Sequence, residues 1–118
     1  MPEPIMTVWT RVALPGFHCW PGAHETRAYL RDRHRHLFIF TVWTEVHHDE
    51  RDTEFHDLQD LVRAWFGPNP REFGAMSCEA IARDLAAWLD IEHVIIVTRI
   101  DVSEDGESGA TYTPDRTS

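Results

Sequence analysis

Two imidazoles two residues apart, His34 and His36, stand at the mouth of the run Leu37-Phe38-Ile39-Phe40-Thr41-Val42-Trp43-Thr44-Glu45-Val46. The run is apolar, aromatic and β-branched and holds no Gly or Pro, which predicts a buried strand. Side chains alternate faces along a strand, so His34 and His36 point the same way, as do Phe38 and Phe40. Such a pair is half of a metal site: zinc takes three protein ligands plus an open position for chemistry, or four for structure. The pair also fits a plain strand end with two exposed histidines among arginines. A third histidine, His24, closes the stretch Trp20-Pro21-Gly22-Ala23-His24. If the strands before and after it form a hairpin, His24 returns beside His34 and His36. Three histidines from neighbouring strands suit an open tetrahedral zinc, which polarises a substrate oxygen or activates a water.

The elements that must position these residues follow from pattern. Ile5 to Leu14 reads as a strand with Val8, Thr10 and Val12 on one face and Trp9 and Ala13 on the other. Pro15-Gly16 predicts a bulge or kink, after which Phe17 to Trp20 resumes the strand. Glu25 to Arg33 is a polar connection, and His47 to Asp52 a solvated turn that keeps His47 and His48 on the surface. Thr53 can cap a helix with Glu54 in its first turn. Phe55, Leu58, Leu61, Val62, Trp65 and Phe66 then recur at helical spacing until Gly67-Pro68 ends it. A loop from Asn69 to Met76 leads to a second helix capped by Ser77, with the stripe Ile81, Ala82, Leu85, Trp88 and Leu89. Both stripes read as core. Val94 to Val102 is a strand, Asp105-Gly106 a turn, and Gly109 to Thr113 a last strand. The order ββααββ predicts an α+β fold with two helices on one face of an antiparallel sheet. The expectation is one domain over residues 1–118, with its core at about 6–113 and loose ends at residues 1–4 and from Pro114 onward.

The order aromatic-x-x-Ala-His followed by His-x-His resembles the 6-pyruvoyl-tetrahydropterin synthase and 6-carboxy-tetrahydropterin synthase family, and the resemblance runs over roughly residues 6–113. It implies the T-fold, zinc (Zn2+) held by His24, His34 and His36, and a homo-oligomer of units joined edge to edge with sites at subunit interfaces. Thr53-Glu54-Phe55-His56-Asp57-Leu58 resembles the family's acidic-Phe-x-x-Leu helix start, with Glu54 where Asp is usual. Ser77-Cys78-Glu79 resembles its Thr-Ser-Glu, which implies contacts from Ser77, Cys78 and Glu79 to a pterin ring; a plain helix N-terminus fits as well. Val102-Ser103-Glu104, with Gly109 and Tyr112, resembles its Val-x-Glu strand end, where the Glu holds the ring. The chemistry suits Glu104, because a carboxylate accepts two parallel N–H bonds from an amino-pyrimidinone edge. A solvated acid is the other reading of Glu104.

The departures bear on chemistry. Leu30 stands where the family carries its catalytic Cys, and Gly67 to Met76 holds neither the Asp nor the His of the family's Leu-Asp-His motif. Asp32 and Glu25, acids of the same loop, are the candidates to move protons in its place, with Cys19 a weaker substitute. The resemblance implies a zinc-dependent lyase acting on dihydroneopterin triphosphate, with the 6-carboxy-tetrahydropterin type of 7-deazaguanine and queuosine synthesis preferred. The alternative is a degenerate zinc- and pterin- or purine-binding protein that has lost the proton-transfer set; a purely structural oligomer is a third.

Composition narrows the partners. The chain has 118 residues and a net charge of −9 with histidines neutral, which disfavours nucleic acid and anionic membrane surfaces. It holds no apolar run of about 18 residues that would span a membrane. Met1-Pro2-Glu3-Pro4 has no basic start and predicts no signal peptide. Two cysteines, Cys19 and Cys78, make no disulfide framework. A cytoplasmic protein with free thiols and a small-molecule ligand is expected.

Overall fold

The long hairpin of β1 (Met6–His18) and β2 (His34–Val46) is the spine of the sheet. The computed structural model describes residues 4–114; the expected loose ends at residues 1–3 and 115–118 lie outside them. The two strands pair antiparallel without a break from Met6 opposite Val46 to His18 opposite His34. The bulge expected at Pro15-Gly16 is therefore absent from this ladder. Among the described residues β1 has no neighbour on its other side before Gly16, and an unpaired edge is where a strand tolerates proline. Gly16 has a different reason to be there. A Cβ on it would sit 3.0 Å from the Phe38 ring and 3.1 Å from the Arg71 carbonyl oxygen. A glycine is what lets both come close.

After β2 come α1 (Phe55–Phe66), β3 (Arg71–Glu72), α2 (Cys78–His93), β4 (Val97–Glu104) and β5 (Ser108–Tyr112). The sheet order is β3-β1-β2-β4-β5. All neighbours are antiparallel except β3, which runs parallel to β1 at Gly16 and Phe17. The sheet is thus mixed, where an antiparallel one was expected. The cause is a two-residue strand too short to leave any pattern in sequence. It is fastened beyond the ladder by the Phe73 N–H to the Phe17 carbonyl and the Cys19 N–H to the Gly74 carbonyl, each at 2.8 Å.

Both helices cover one face. Leu58, Val62, Trp65 and Phe66 of α1, and Ile81, Leu85 and Leu89 of α2, meet Phe38, Phe40, Val42, Ile100 and Val102 of the sheet in one buried cluster. Each such side chain contributes about 1.5–3 kcal/mol relative to exposure. Helix starts are set by side chains. Glu54, not Thr53, caps α1, its carboxylate accepting from the His56 and Asp57 N–H groups. A carboxylate at that end also meets the positive pole of the helix. Ser77 caps α2 as expected, accepting from the Ala80 N–H at 3.1 Å. β4 begins at Val97, because α2 runs to His93 and ends on a left-handed Val94. An irregularity opposite Trp43 and Thr44 shifts the register, so that Val97, Ile100 and Val102 point inward and Ile96 is half exposed. Among the described residues no helix is long and apolar enough to cross a membrane.

Candidate metal centre and ligand cavity

The last rungs of the hairpin carry the chemistry. Alternation along β2 sends His34 and His36 to the core side of the sheet, and register sets His18 directly opposite His34. One nitrogen from each of His18, His34 and His36 lies within 4.8 Å of the others. His34 and His36 meet as the sequence predicts, but the third member is His18. His24 is exposed at the start of the short 3-10 segment Glu25–Leu30, which is kinked at Arg27. Its ring centroid is 6.3 Å from that of Trp20, and it does not join the cluster. His18 lies on the stretch expected to resume the strand, and the register of the hairpin is the signal that sets it against His34.

Each Nδ1 of the cluster is held from outside. That of His18 is 3.0 Å from the Met76 carbonyl oxygen, that of His34 is 2.8 Å from the Asp32 carbonyl oxygen, and that of His36 is 2.8 Å from the Asp105 carboxylate. A carbonyl oxygen only accepts, so Nδ1 of His18 and His34 carries the proton and the neutral ring offers a bare Nε2 lone pair. The Nε2 atoms of His18 and His36 are buried without a hydrogen-bond partner. Outward Nδ1–H groups fixed by carbonyls or carboxylates, with free Nε2 atoms turned inward, are what a set of zinc-binding imidazoles requires. The residues present therefore fit a zinc ion.

Asp105 does more than touch His36. One of its oxygens accepts from His36 and the other from the Leu37 N–H at 2.8 Å, and its own N–H donates to the Leu37 carbonyl. The left-handed backbone at Asp105, φ 59°, makes this clasp possible. The Leu37 N–H first, and His36 next, hold the carboxyl below the usual carboxylate range. The folded value lies under the unfolded one. This stabilisation is therefore complete above the unfolded value and fades as pH falls through the folded one. Asp105→Ala is expected to weaken zinc binding about 10–100-fold, the usual effect of losing such an outer partner. Asp105→Asn, with one acceptor oxygen instead of two, should fall between. Chelator competition on the purified variants measures both, and unchanged affinity in Asp105→Ala would remove Asp105 from the centre.

Beside the histidines opens a cavity of about 500 Å³ lined by residues that include His18, His34, Ser77, Cys78, Glu79 and Glu104. The four residues expected to hold a ring are thus brought to one cavity together with two of the imidazoles. Gly109, where β5 leaves the turn, is also in its wall. Its place in the sheet leaves no room for a side chain: a Cβ there would lie 2.6 Å from the Ser103 Cα.

The two acids expected to move protons are elsewhere. The Glu25 carboxylate is exposed and pairs with Arg31 at 3.0 Å. Asp32 is exposed and serves the site through its backbone carbonyl. Neither lines the cavity. Cys19 does, half-buried, as does Cys78. Burial first, then the charges of Glu104 and Glu79, push the Cys78 thiol up to about 12, so it stays protonated at neutral pH. Iodoacetamide at pH 8 should therefore label Cys19 well before Cys78, as read by peptide mass spectrometry. Equal labelling would mean that the cavity wall around Cys78 is not closed as described.

Placed against solved structures, the chain superposes on 6-pyruvoyl tetrahydropterin synthase of Caenorhabditis elegans with a TM-score of 0.67 at 12% identity, over 98% of this chain and 99% of that one. The fold is the T-fold. An uncharacterized protein from Wolinella succinogenes is similar to the same extent, with a TM-score of 0.69 at 10% identity over 96% and 100% of the two chains. No family profile matches the sequence, and no curated protein does.

Proposed function

We propose that the chain is a zinc-dependent, pterin synthase-like lyase. His18, His34 and His36 are its metal ligands, and the adjoining cavity holds a bicyclic amino-pyrimidinone. The observation that carries this reading is the set of three imidazoles turned by outside partners toward one point at the mouth of that cavity. A zinc ion held there would raise the acidity of coordinated hydroxyls and polarise a carbonyl. The chain's own residues do the rest. Glu104 at the cavity wall accepts from the amino and ring N–H groups of the guest. The N-terminus of α2, with Ser77 and the backbone at Cys78 and Glu79, borders the ring. Cys19 is the thiol in reach of the guest and takes the proton-transfer part that Asp32 and Glu25 are too far out to play. Dihydroneopterin triphosphate is the substrate class, with loss of triphosphate and, for the preferred 6-carboxy-type product, of a two-carbon fragment of the side chain as well.

A second reading rests on one feature. Among the described residues the cavity wall includes no Lys or Arg, and it does include Glu79 and Glu104. A triphosphate needs cationic partners, so a protomer acting alone suits a purine- or pterin-like guest without phosphates, bound and not turned over. A homo-oligomer can supply the missing cations. The free side of β1 before Gly16 and the free side of β5 are the edges through which such units join, in a cytoplasm where free thiols persist.

Purified protein is assayed for zinc, then given dihydroneopterin triphosphate while products are followed by mass spectrometry. One zinc per chain with triphosphate release supports the lyase. Zinc with saturable pterin binding and no turnover supports the second reading. Absence of zinc overturns both.

A further inference from the structure

The Glu104 carboxylate sits where a metal ligand would sit. Its Oε2 is 2.9 Å from Nε2 of His18 and 3.6 Å from Nε2 of His36. In a neutral His18 the proton is on Nδ1, which faces a carbonyl, so a lone pair and a carboxylate oxygen confront each other across 2.9 Å. Two acceptors at that distance repel unless a proton or a metal ion lies between them, and the carboxylate oxygen is within reach of either. Neither Nε2 counts the carboxylate as a hydrogen-bond partner, which is the expected relation between two ligands that both aim at one ion and not at each other. Ligands about 2.0–2.1 Å from a tetrahedral zinc lie about 3.3 Å apart, and the two observed separations bracket that length. Glu104 closes β4 on the same face as Ile100 and Val102 and is partly shielded.

We infer that Glu104 is a fourth, displaceable metal ligand. It closes the ion's open position in the resting protein and releases it when a ring guest claims the carboxylate. The inference rests on the metal reading above and adds to it a state in which the centre is four-coordinate and sealed. A bound ring then does two things at once: it is held by Glu104, and by occupying Glu104 it frees a coordination position beside itself. A guest without the two-donor edge leaves the site shut, which is a specificity device independent of cavity shape.

Cobalt(II) in place of zinc reports this directly in its visible spectrum, with azide as the probe of an open position and unsubstituted pterin, which has no side-chain hydroxyls to compete for the metal and is followed separately by its own fluorescence, as the ring. In the wild-type protein azide is expected to leave the cobalt spectrum unchanged until pterin is bound, and then to alter it. In Glu104→Gln, azide is expected to bind with no ring present. The cobalt affinity of that variant should fall by more than the about 10–100-fold typical of losing an outer partner, with the melting temperature of the metal-free protein unchanged. Azide titrating wild type and Glu104→Gln alike, or equal cobalt affinity in the two, overturns Glu104 as a ligand. Azide failing to enter at saturating pterin overturns its displacement. Cobalt retained by His18→Ala and His34→Ala overturns instead the histidine centre itself, so the two failures are told apart.

Discussion

His18→Ala is expected to lose its zinc while His24→Ala keeps it. If the about 10–16 kcal/mol of a four-ligand zinc site is divided evenly, one imidazole is worth about 2.5–4 kcal/mol, or about 70–900-fold in affinity. His34→Ala and His36→Ala should lose as much as His18→Ala. His24→Ala should stay within about twofold of wild type, because that ring lies outside the cluster and contributes no atom to it. His47→Ala, on an exposed turn, is a second control. Zinc content after dialysis, followed by chelator competition, decides the matter. A His24→Ala protein without zinc beside a His18→Ala protein with it would restore the ligand set read from sequence and reject the one read from the fold.

Phe38→Ala should damage stability and metal binding together. The Phe38 ring is fully buried and forms the floor between the core and the metal centre. Its centroid is 5.2 Å from that of His18 and 5.7 Å from that of His36, and 5.2 Å from that of Phe73 on the core side. Truncating a buried phenylalanine costs about 3–5 kcal/mol, partly as a cavity, which for a chain of this size is a fall of roughly 10–20 °C in Tm. The cavity would lie directly under two of the three imidazoles and let them tilt, so zinc affinity should drop although no ligand has been removed. Phe38→Leu refills part of the space and should recover most of both losses. Melting of the metal-free and zinc-loaded forms separates the two effects. A Phe38→Ala protein that is destabilised yet binds zinc as wild type does would show that the histidines are held by their outer partners alone.

The elements that announce themselves by period were legible in the sequence. The apolar run of β2 and the stripes of α1 and α2 follow from side-chain alternation or helical spacing, whereas alternation back from Glu104 through Val102 and Ile100 would also turn Ile96 inward, and the irregularity opposite Trp43 and Thr44 exposes it. What was not legible depends on pairing. Pro15-Gly16 looks like an interruption because local sequence cannot show that one side of β1 has no partner there. The third histidine is read as His24 from the Ala23-His24 order, and only the hairpin register, which sets His18 opposite His34, shows otherwise. Two-residue β3 has no period at all and is held by Gly16, Phe17 and Cys19 backbone groups from a distant part of the chain. The part Asp32 plays through its carbonyl is invisible for a related reason: any residue has a carbonyl, and only the fold aims this one at His34.

The pairing of His18 with His34 across the hairpin end also has a consequence for how the protein assembles. All three imidazoles belong to one hairpin and are near neighbours along the chain, whereas Glu104 and Met76 arrive from far downstream. Closing a short loop is entropically cheap, so a chain that has formed only this hairpin already presents most of a zinc site. Zinc should then speed folding by favouring the hairpin before the helices dock. Because the ion also binds such partly folded chains, it should raise the melting temperature by less than its affinity for the native state implies.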